Sequence, residues 1–247
     1  MRLLNTTTVQ LKKFPAKEIP KYAILSHTWE ADEVSLQDMS QPDHDVALSG
    51  KAGYEKIKTC CHLAQKDGYD WVWIDTCCID KTSSSELSEE INSMYQWYKR
   101  ACVCYAYLAD LAAFTSDNTA NKSGLWESRW FRRGWTLQEL IAPEFVEFYA
   151  KDWSEIGTKS SLEPWIAEIT GINVYVLRGV SPSVFSIFER MTWAKYRETT
   201  REEDMAYCLL GIFQINMPLL YGEGKKAFKR LQYELLQHHD DLTILAW

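Results

Sequence analysis

Apolar residues in this chain come in short blocks of two kinds, and their alternation predicts an α/β fold. Tyr22-Ala23-Ile24-Leu25-Ser26-His27 is a continuous apolar run that turns polar at its end, as a buried strand does. Tyr54, Ile57, Cys61 and Ala64 then recur at helical spacing, and Gly68 stands where a helix C-terminus is expected. Asp70-Trp71-Val72-Trp73-Ile74-Asp75 predicts a second strand, apolar within and acidic at both ends. Ser83 followed three residues later by Glu86 is a capping-box pattern, and Leu87, Ile91, Met94, Tyr95 and Tyr98 behind it make one apolar helix face. Cys102 to Leu108 predicts a third strand, residues 112–124 a polar loop, and Phe145 to Tyr149 a fourth strand. Between them, residues 126–142 lead into a short helix that Pro143 stops.

This βαβαβαβ order implies a mostly parallel sheet with helices on both faces. Right-handed crossovers gather the carboxyl ends of the strands along one edge, where open sheets bind ligands. His27, Asp75 and the loop containing Asp110 belong on that edge. From about residue 154 the pattern becomes helical. Ser181-Pro182 starts a helix whose face is Val184, Phe185, Phe188 and Met191. Met205 to Phe213 is a compact apolar stretch, and Ala227, Phe228, Leu231 and Leu235 mark the last long helix. The final Thr243-Ile244-Leu245-Ala246-Trp247 is β-like and stops abruptly, so a longer natural protein is expected. The organisation expected is an α/β core over 1–150 and a helical extension over 151–247 packed on it as one composite domain.

Composition narrows the function. With 46% hydrophobic residues, 13% aromatic and 11 Trp among 247 residues, the chain carries more large rings than a disordered segment does. A net charge of -7 argues against bulk electrostatic binding to nucleic acid or to an anionic membrane. The N-terminal ten residues lack the apolar core of a signal peptide, and no apolar run approaches about 18 residues. Seven Cys, an odd number, fit free thiols in a reducing cytoplasm.

Chemistry concentrates at Arg133-Gly134-Trp135-Thr136-Leu137-Gln138-Glu139-Leu140. Glu139 is a single carboxylate on a helix that begins at the ligand edge among aromatic residues, where apolar surroundings shift a pKa. The competing role is a solvated helix face or a salt bridge. His27 either touches substrate or makes a strand-end hydrogen bond to backbone or Asp75. Asp75 either binds a ribose or caps the following turn. Arg132, Arg133 and Lys81 are candidates for a pyrophosphate, without a glycine-rich loop beside them. Cys77 and Cys78, taken with His27 and Asp75, suggest a thiol nucleophile, but the carboxylates Asp75 and Asp80 oppose thiolate formation. Adjacent cysteines point in different directions and no Cys-x-x-Cys pair occurs, so a zinc site from Cys60, Cys61, His62, Cys77 and Cys78 is not expected.

Three blocks resemble the fungal heterokaryon incompatibility (HET) domain: Tyr22 to Trp29, Trp71 to Lys81 and Arg133 to Pro143. The later segments 199–204 and 217–224 resemble that family's helical extension. The resemblance implies a fungal cytoplasmic protein that triggers cell death when incompatible strains fuse. A more distant resemblance links Trp135 to Leu140 and the strand–helix order to TIR domains, and so implies a flavodoxin-like or TIR-like sheet. In enzymatic TIR domains the Glu matching Glu139 cleaves NAD+. Ser26-His27-Thr28-Trp29 sits where TIR domains carry a Ser-Phe/Tyr-Arg segment lining the substrate pocket, and here the Arg is absent.

Cleavage of NAD+ breaks a bond to a leaving group that is already a cationic pyridinium, so one carboxylate suffices to stabilise the oxocarbenium-like transition state. Glu139 is the expected catalytic group. Ser26, His27, Asp75, Trp29 and Trp135 are the expected substrate contacts, the two indoles (with Trp73) as stacking platforms. No metal or resident cofactor is expected; NAD+ is the substrate. Self-association is the expected switch, with an upstream regulator or C-terminal partner domain. The alternative is a death-signalling module without enzyme activity.

Overall fold

The computed structural model describes residues 1–115 and 117–246. Seven strands make one sheet: β1 (Arg2–Asn5), β2 (Leu11–Lys13), β3 (Ala23–His27), β4 (Trp71–Trp73), β5 (Val103–Tyr107), β6 (Val146–Tyr149) and β7 (Glu155–Thr158). Their order is β2-β1-β4-β3-β5-β6-β7. The four expected strands form the parallel centre: β3 pairs with β4 and with β5, and β5 pairs with β6. Every residue of β3 is buried, as a strand covered on both faces requires. Within this centre the chain runs from β3 outward to β4, then returns across β3 to β5. The reversal between β3 and β5 is a topological switch point.

The outer strands are antiparallel and were not expected. β1 escapes a periodicity argument because its two apolar residues, Leu3 and Leu4, are adjacent and both fully buried. β7 lies where only helices were predicted, so the sheet extends past residue 150.

The helices of the first half are α1 (Leu36–Met39), α2 (His44–Ala47), α3 (Ala52–Lys66), α4 (Asp75–Cys78), α5 (Ser84–Arg100), α6 (Asn118–Glu127) and α7 (Thr136–Ile141). In α3 the predicted face is buried, and Gly68 takes a left-handed φ of 84° just past the helix end. The box heading α5 is half formed. Ser83 Oγ accepts from the Glu86 backbone N–H at 3.3 Å, but the Glu86 carboxylate is drawn away to pair with Arg2. The strand expected over 70–75 stops at Trp73, and Asp75 instead opens the single turn of α4. The expected 112–124 loop, part of which (Ser116) lies outside the described residues, contains α6. The Asp117 carboxylate starts it by accepting from the Thr119 and Ala120 N–H groups.

Beyond β7 the chain is helical. Ser181 caps only a 3-10 turn, Pro182–Val184, with Val184 exposed; a separate helix, Ile187–Thr192, carries its own Ser186–Glu189 capping box. Ala227, Leu231 and Leu235 of the Lys226–His238 helix are buried as expected. The C-terminal run is a 3-10 helix, Leu242–Ala246, rather than a strand, and Trp247 lies outside the described residues. One continuous cluster of buried side chains runs from Leu3 through the sheet to Ile244. Gly211, on the helix Leu210–Phe213, lies so close to α5 that a Cβ there would collide with the Tyr95 side chain.

Candidate active site

Ser26 and His27 are the last two residues of β3. Successive side chains of a strand leave on opposite faces, so the two residues head two different clusters.

Ser26 meets Glu139. Its hydroxyl donates to Glu139 Oε2 and accepts from Trp130 Nε1 at 2.8 Å. Trp130, fully enclosed, comes from a 3-10 turn, Arg129–Arg132, that precedes α7. The Tyr98 hydroxyl lies beside the same carboxyl and donates to the Leu25 carbonyl at 2.9 Å. Glu139 is only 7% exposed. Burial pushes its pKa up from 4.5 to about 8; the Ser26 hydrogen bond opposes the rise and the Asp75 charge adds to it. The carboxyl is therefore predominantly protonated at neutral pH.

The start of α7 is clamped by Arg197. Its Nη1 donates to the Arg133 carbonyl at 2.7 Å and to Thr136 Oγ1 at 2.9 Å. Gly134 serves this packing. Its N–H donates to the Glu198 carbonyl at 2.9 Å, and a Cβ there would press on Thr199.

His27 heads the second cluster. Nε2 lies 3.0 Å from Asp75 Oδ1, and Nδ1 lies 2.9 Å from Lys56 Nζ. The tautomer that satisfies both carries its proton on Nε2, so the Nδ1 lone pair is already occupied. Lys56 also pairs with Glu33. Trp29 Nε1 donates to Asp75 Oδ2 at 2.7 Å, and the Lys81 ammonium sits 3.6 Å from the Trp29 ring centroid. Burial would raise the Asp75 pKa, but His27, Lys81 and Trp29 outweigh it and hold the carboxyl down at about 2. Trp29, 49% exposed, is the one ring of the three expected platforms that faces solvent broadly.

The expected residues thus divide. Ser26 joins Glu139, while His27, Asp75 and Trp29 join each other. Trp135 belongs to neither group; it packs against the core with its indole beside Asp204. Trp73 is a core residue in edge contact with Trp97 and Tyr98. Arg132, Arg133 and Lys81 do not converge: Arg132 is exposed, Arg133 donates to Thr200, and Lys81 covers Trp29. Asp110 accepts from Ser128 and from the Arg129 N–H, so it serves the turn before α7. Cys77 and Cys78 are fully buried, and their mutual hydrogen bond together with burial pushes the Cys77 thiol well up, away from a thiolate. Among the described residues no group of three or more His, Cys, Asp or Glu side chains is placed to hold a metal.

Trp130, Tyr98, Lys56 and Glu33 were missed. Lys56 had no signal, because a lysine beside a helix's apolar stripe is ordinarily solvated. Two surface cavities, of about 1680 Å³ and 670 Å³, lie elsewhere, and neither is lined by Ser26, His27, Asp75 or Glu139.

Comparison with known proteins agrees with the sequence blocks. Residues 22–124 match the profile described as Heterokaryon incompatibility protein (HET). The chain is 50% identical over 230 residues to "Vegetative incompatibility protein HET-E-1" of Podospora anserina, an alignment covering 91% of this chain and 17% of that protein. The chain thus spans a small part of the curated relative's length. No solved structure matches.

Proposed function

We propose, for a chain that carries the HET domain of the heterokaryon incompatibility family, that it is a cell-death effector unit that cleaves NAD+ at the ribose–nicotinamide bond, with Glu139 as the catalytic carboxylate. The observation that carries this reading is the isolated Glu139 carboxyl. It is buried beside the end of β3, next to the switch point, and bonded to Ser26. The order β4-β3-β5-β6 of the parallel strands, with its reversal beside β3, is that of a doubly wound sheet with a ligand crevice at the switch point, which supports the same reading.

The chemistry needs an ionised carboxylate. The positively charged nicotinamide ribosyl group supplies the condition itself, since a cation against Glu139 favours its charged form. The carboxylate then stabilises positive charge developing at the ribose C1′ while neutral nicotinamide departs, and water completes the hydrolysis. Ser26 holds the carboxylate in place. Trp29 and the Asp75–His27 pair offer a stacking face and a ribose acceptor. The state described is closed, and we assign opening to self-association, with an upstream regulator outside this unit. No helix among the described residues is long and apolar enough to cross a membrane, and a cytoplasmic site of action is part of the proposal.

The enclosure of Glu139 favours a second reading, a death-signalling module that acts through its surface alone. One experiment separates the two. The chain, clustered by a fused oligomeriser, is incubated with NAD+ and nicotinamide is measured, for the wild type and Glu139→Gln. Release by the wild type and its loss in the variant is the expected result. No release, or equal release, removes the enzymatic reading; cell killing that persists in Glu139→Gln then selects the second.

A further inference from the structure

Lys56 lies on α3, one turn beyond Gly53, and its side chain is only 8% exposed. Its ammonium meets Glu33 on one side and His27 Nδ1, at 2.9 Å, on the other. Each partner carries the contact outward. Glu33 Oε1 also accepts from the Glu30 N–H at 2.9 Å, which ties down the loop that bears Trp29. His27 Nε2 donates to Asp75, whose second oxygen accepts from Trp29 Nε1. Side-chain exposure rises along this path from 1% at His27 to 20% at Asp75, and Trp29 is half exposed. A single buried ammonium thus holds the carboxylate and the indole that open to solvent.

This contact is not built for stability. A buried ion pair contributes little over an apolar pair of similar volume, because both charges lose their water. Glu33 Oε2 is enclosed and has no partner among the described residues. Gly53 weakens the start of α3 relative to Ala, and it stands there because a Cβ would collide with the Asp32 carbonyl and press on Glu33. These costs bring Lys56 against His27 and against the loop of Trp29. At the outer end, each Asp75 oxygen takes one donor and can accept another, which is what the two hydroxyls of a ribose require.

We infer that Lys56 is a positioning residue: it occupies His27 Nδ1, fixes the ring as its Nε2–H tautomer, and so keeps Asp75 aimed, beside Trp29, at the hydroxyl pair of a nucleotide's ribose. This rests on the proposal that the crevice takes a nucleotide, and assigns Lys56 a part in binding it. Glu33 Oε1 lies 3.6 Å from Nδ1. Without the ammonium, a proton taken up at Nδ1 makes an imidazolium that bridges Glu33 and Asp75. Asp75 is then drawn toward His27 and away from the ligand.

The test uses the whole folded chain, with ADP-ribose as the probe. Nitrogen NMR of histidine-labelled protein reads the His27 ring, and His27→Gln identifies its signals. A bare Nδ1 and a protonated Nε2 are expected in the wild type. Lys56→Met should shift the ring toward the doubly protonated form and weaken ADP-ribose binding, read by calorimetry, roughly tenfold. In nicotinamide release by the clustered chain, the same variant should raise KM and leave kcat nearly unchanged. Lys56→Arg, which still donates to Nδ1 and Glu33, should restore both tautomer and affinity. If Lys56→Met does not fold, its combination with Glu33→Leu leaves neither charge buried alone, and the same loss of affinity is expected. A lysine that only supports the fold would lower the melting temperature without moving the tautomer or the affinity. The inference is overturned if the wild type does not bind ADP-ribose at millimolar concentration, or if Lys56→Met leaves the ring or the affinity unchanged. Failure of Lys56→Arg to restore them overturns it as well. ADP-ribose binding without nicotinamide release removes the enzymatic reading and leaves this one standing.

Discussion

Replacing Glu139 with Gln is predicted to stabilise the protein, by an amount that grows with pH. The unfolded chain releases the Glu139 proton near the ordinary value of 4.5, whereas the fold holds it until about 8. Between those values the unfolded state binds fewer protons than the native state, so stability falls as pH rises, and the loss is complete above the folded pKa. At about 1.4 kcal/mol per unit, the full span costs about 5 kcal/mol, of which about 3 kcal/mol is already lost at about pH 7. Gln has nearly the shape of the neutral acid and can still accept from Ser26, so it keeps the contact without the titration. Other shifted groups, such as Glu90, whose pKa burial raises to about 7, are present in both proteins and cancel in the difference.

The assay is urea denaturation of wild type and variant at several pH values. Equal stability is expected near pH 4, an advantage to Glu139→Gln of about 3 kcal/mol near pH 7, and about 5 kcal/mol above pH 9. A difference that does not change with pH would mean that Glu139 is ionised inside the fold, and the account of its enclosure would be wrong. A gain in stability coupled to a loss of nicotinamide release would mark Glu139 as a residue kept for activity at the expense of the fold.

Asp75→Asn should behave in the opposite sense. A carboxyl held at about 2 against its ordinary 3.8 stabilises the fold above 3.8 and loses that contribution as pH falls through 2. The variant should be about 2 kcal/mol less stable at neutral pH, with the gap closing in strong acid, as read by denaturation. Gly211→Ala should cost about 1–3 kcal/mol by forcing its helix away from Tyr95, visible as a lowered melting temperature. Thiol labelling of the native protein should modify the half-buried Cys102 first, with Cys60, Cys61, Cys77, Cys78, Cys104 and Cys208 reacting only as the chain unfolds. Rapid modification of Cys77 would contradict its burial.

The parallel centre of the sheet was legible because β3, β4 and β5 are near-continuous apolar runs, which burial on both faces demands, and β6 interrupts its own run only at the partly buried Glu147. The edges were not. β1 shows two apolar residues and β2 shows one, Leu11, too few for any period, and β7 is a Glu-Ile-Gly-Thr segment whose only buried residue is Ile156. These strands exist because the sheet offers them backbone partners, which is a tertiary effect. The α6 helix was hidden for a related reason. Its Asn-, Ser- and Gly-rich composition is that of a loop, and Asp117 at its head, with Leu125 fully buried, makes it a helix.

The candidate site was legible as a set of residues but not as an arrangement. Ser26 and His27 are adjacent in sequence, and adjacency in a strand means separation in space. That separation has a consequence for any chemistry at Glu139. The carboxyl is reached only if α7 shifts from β3, and that shift breaks the Trp130–Ser26–Glu139 chain and loosens the Arg197 clamp on Thr136. Each neutral hydrogen bond lost is worth about 1 kcal/mol net, and the charged clamp about 2 kcal/mol. Against this, wetting the carboxyl recovers the burial penalty of about 3 kcal/mol that it carries at neutral pH. The two sums nearly cancel. The shift also exposes Leu137, Leu140 and Ile141 of α7, at about 2 kcal/mol each where they lose their cover. The closed arrangement is therefore favoured, and contacts between clustered copies have to offset that apolar cost before the open one is populated.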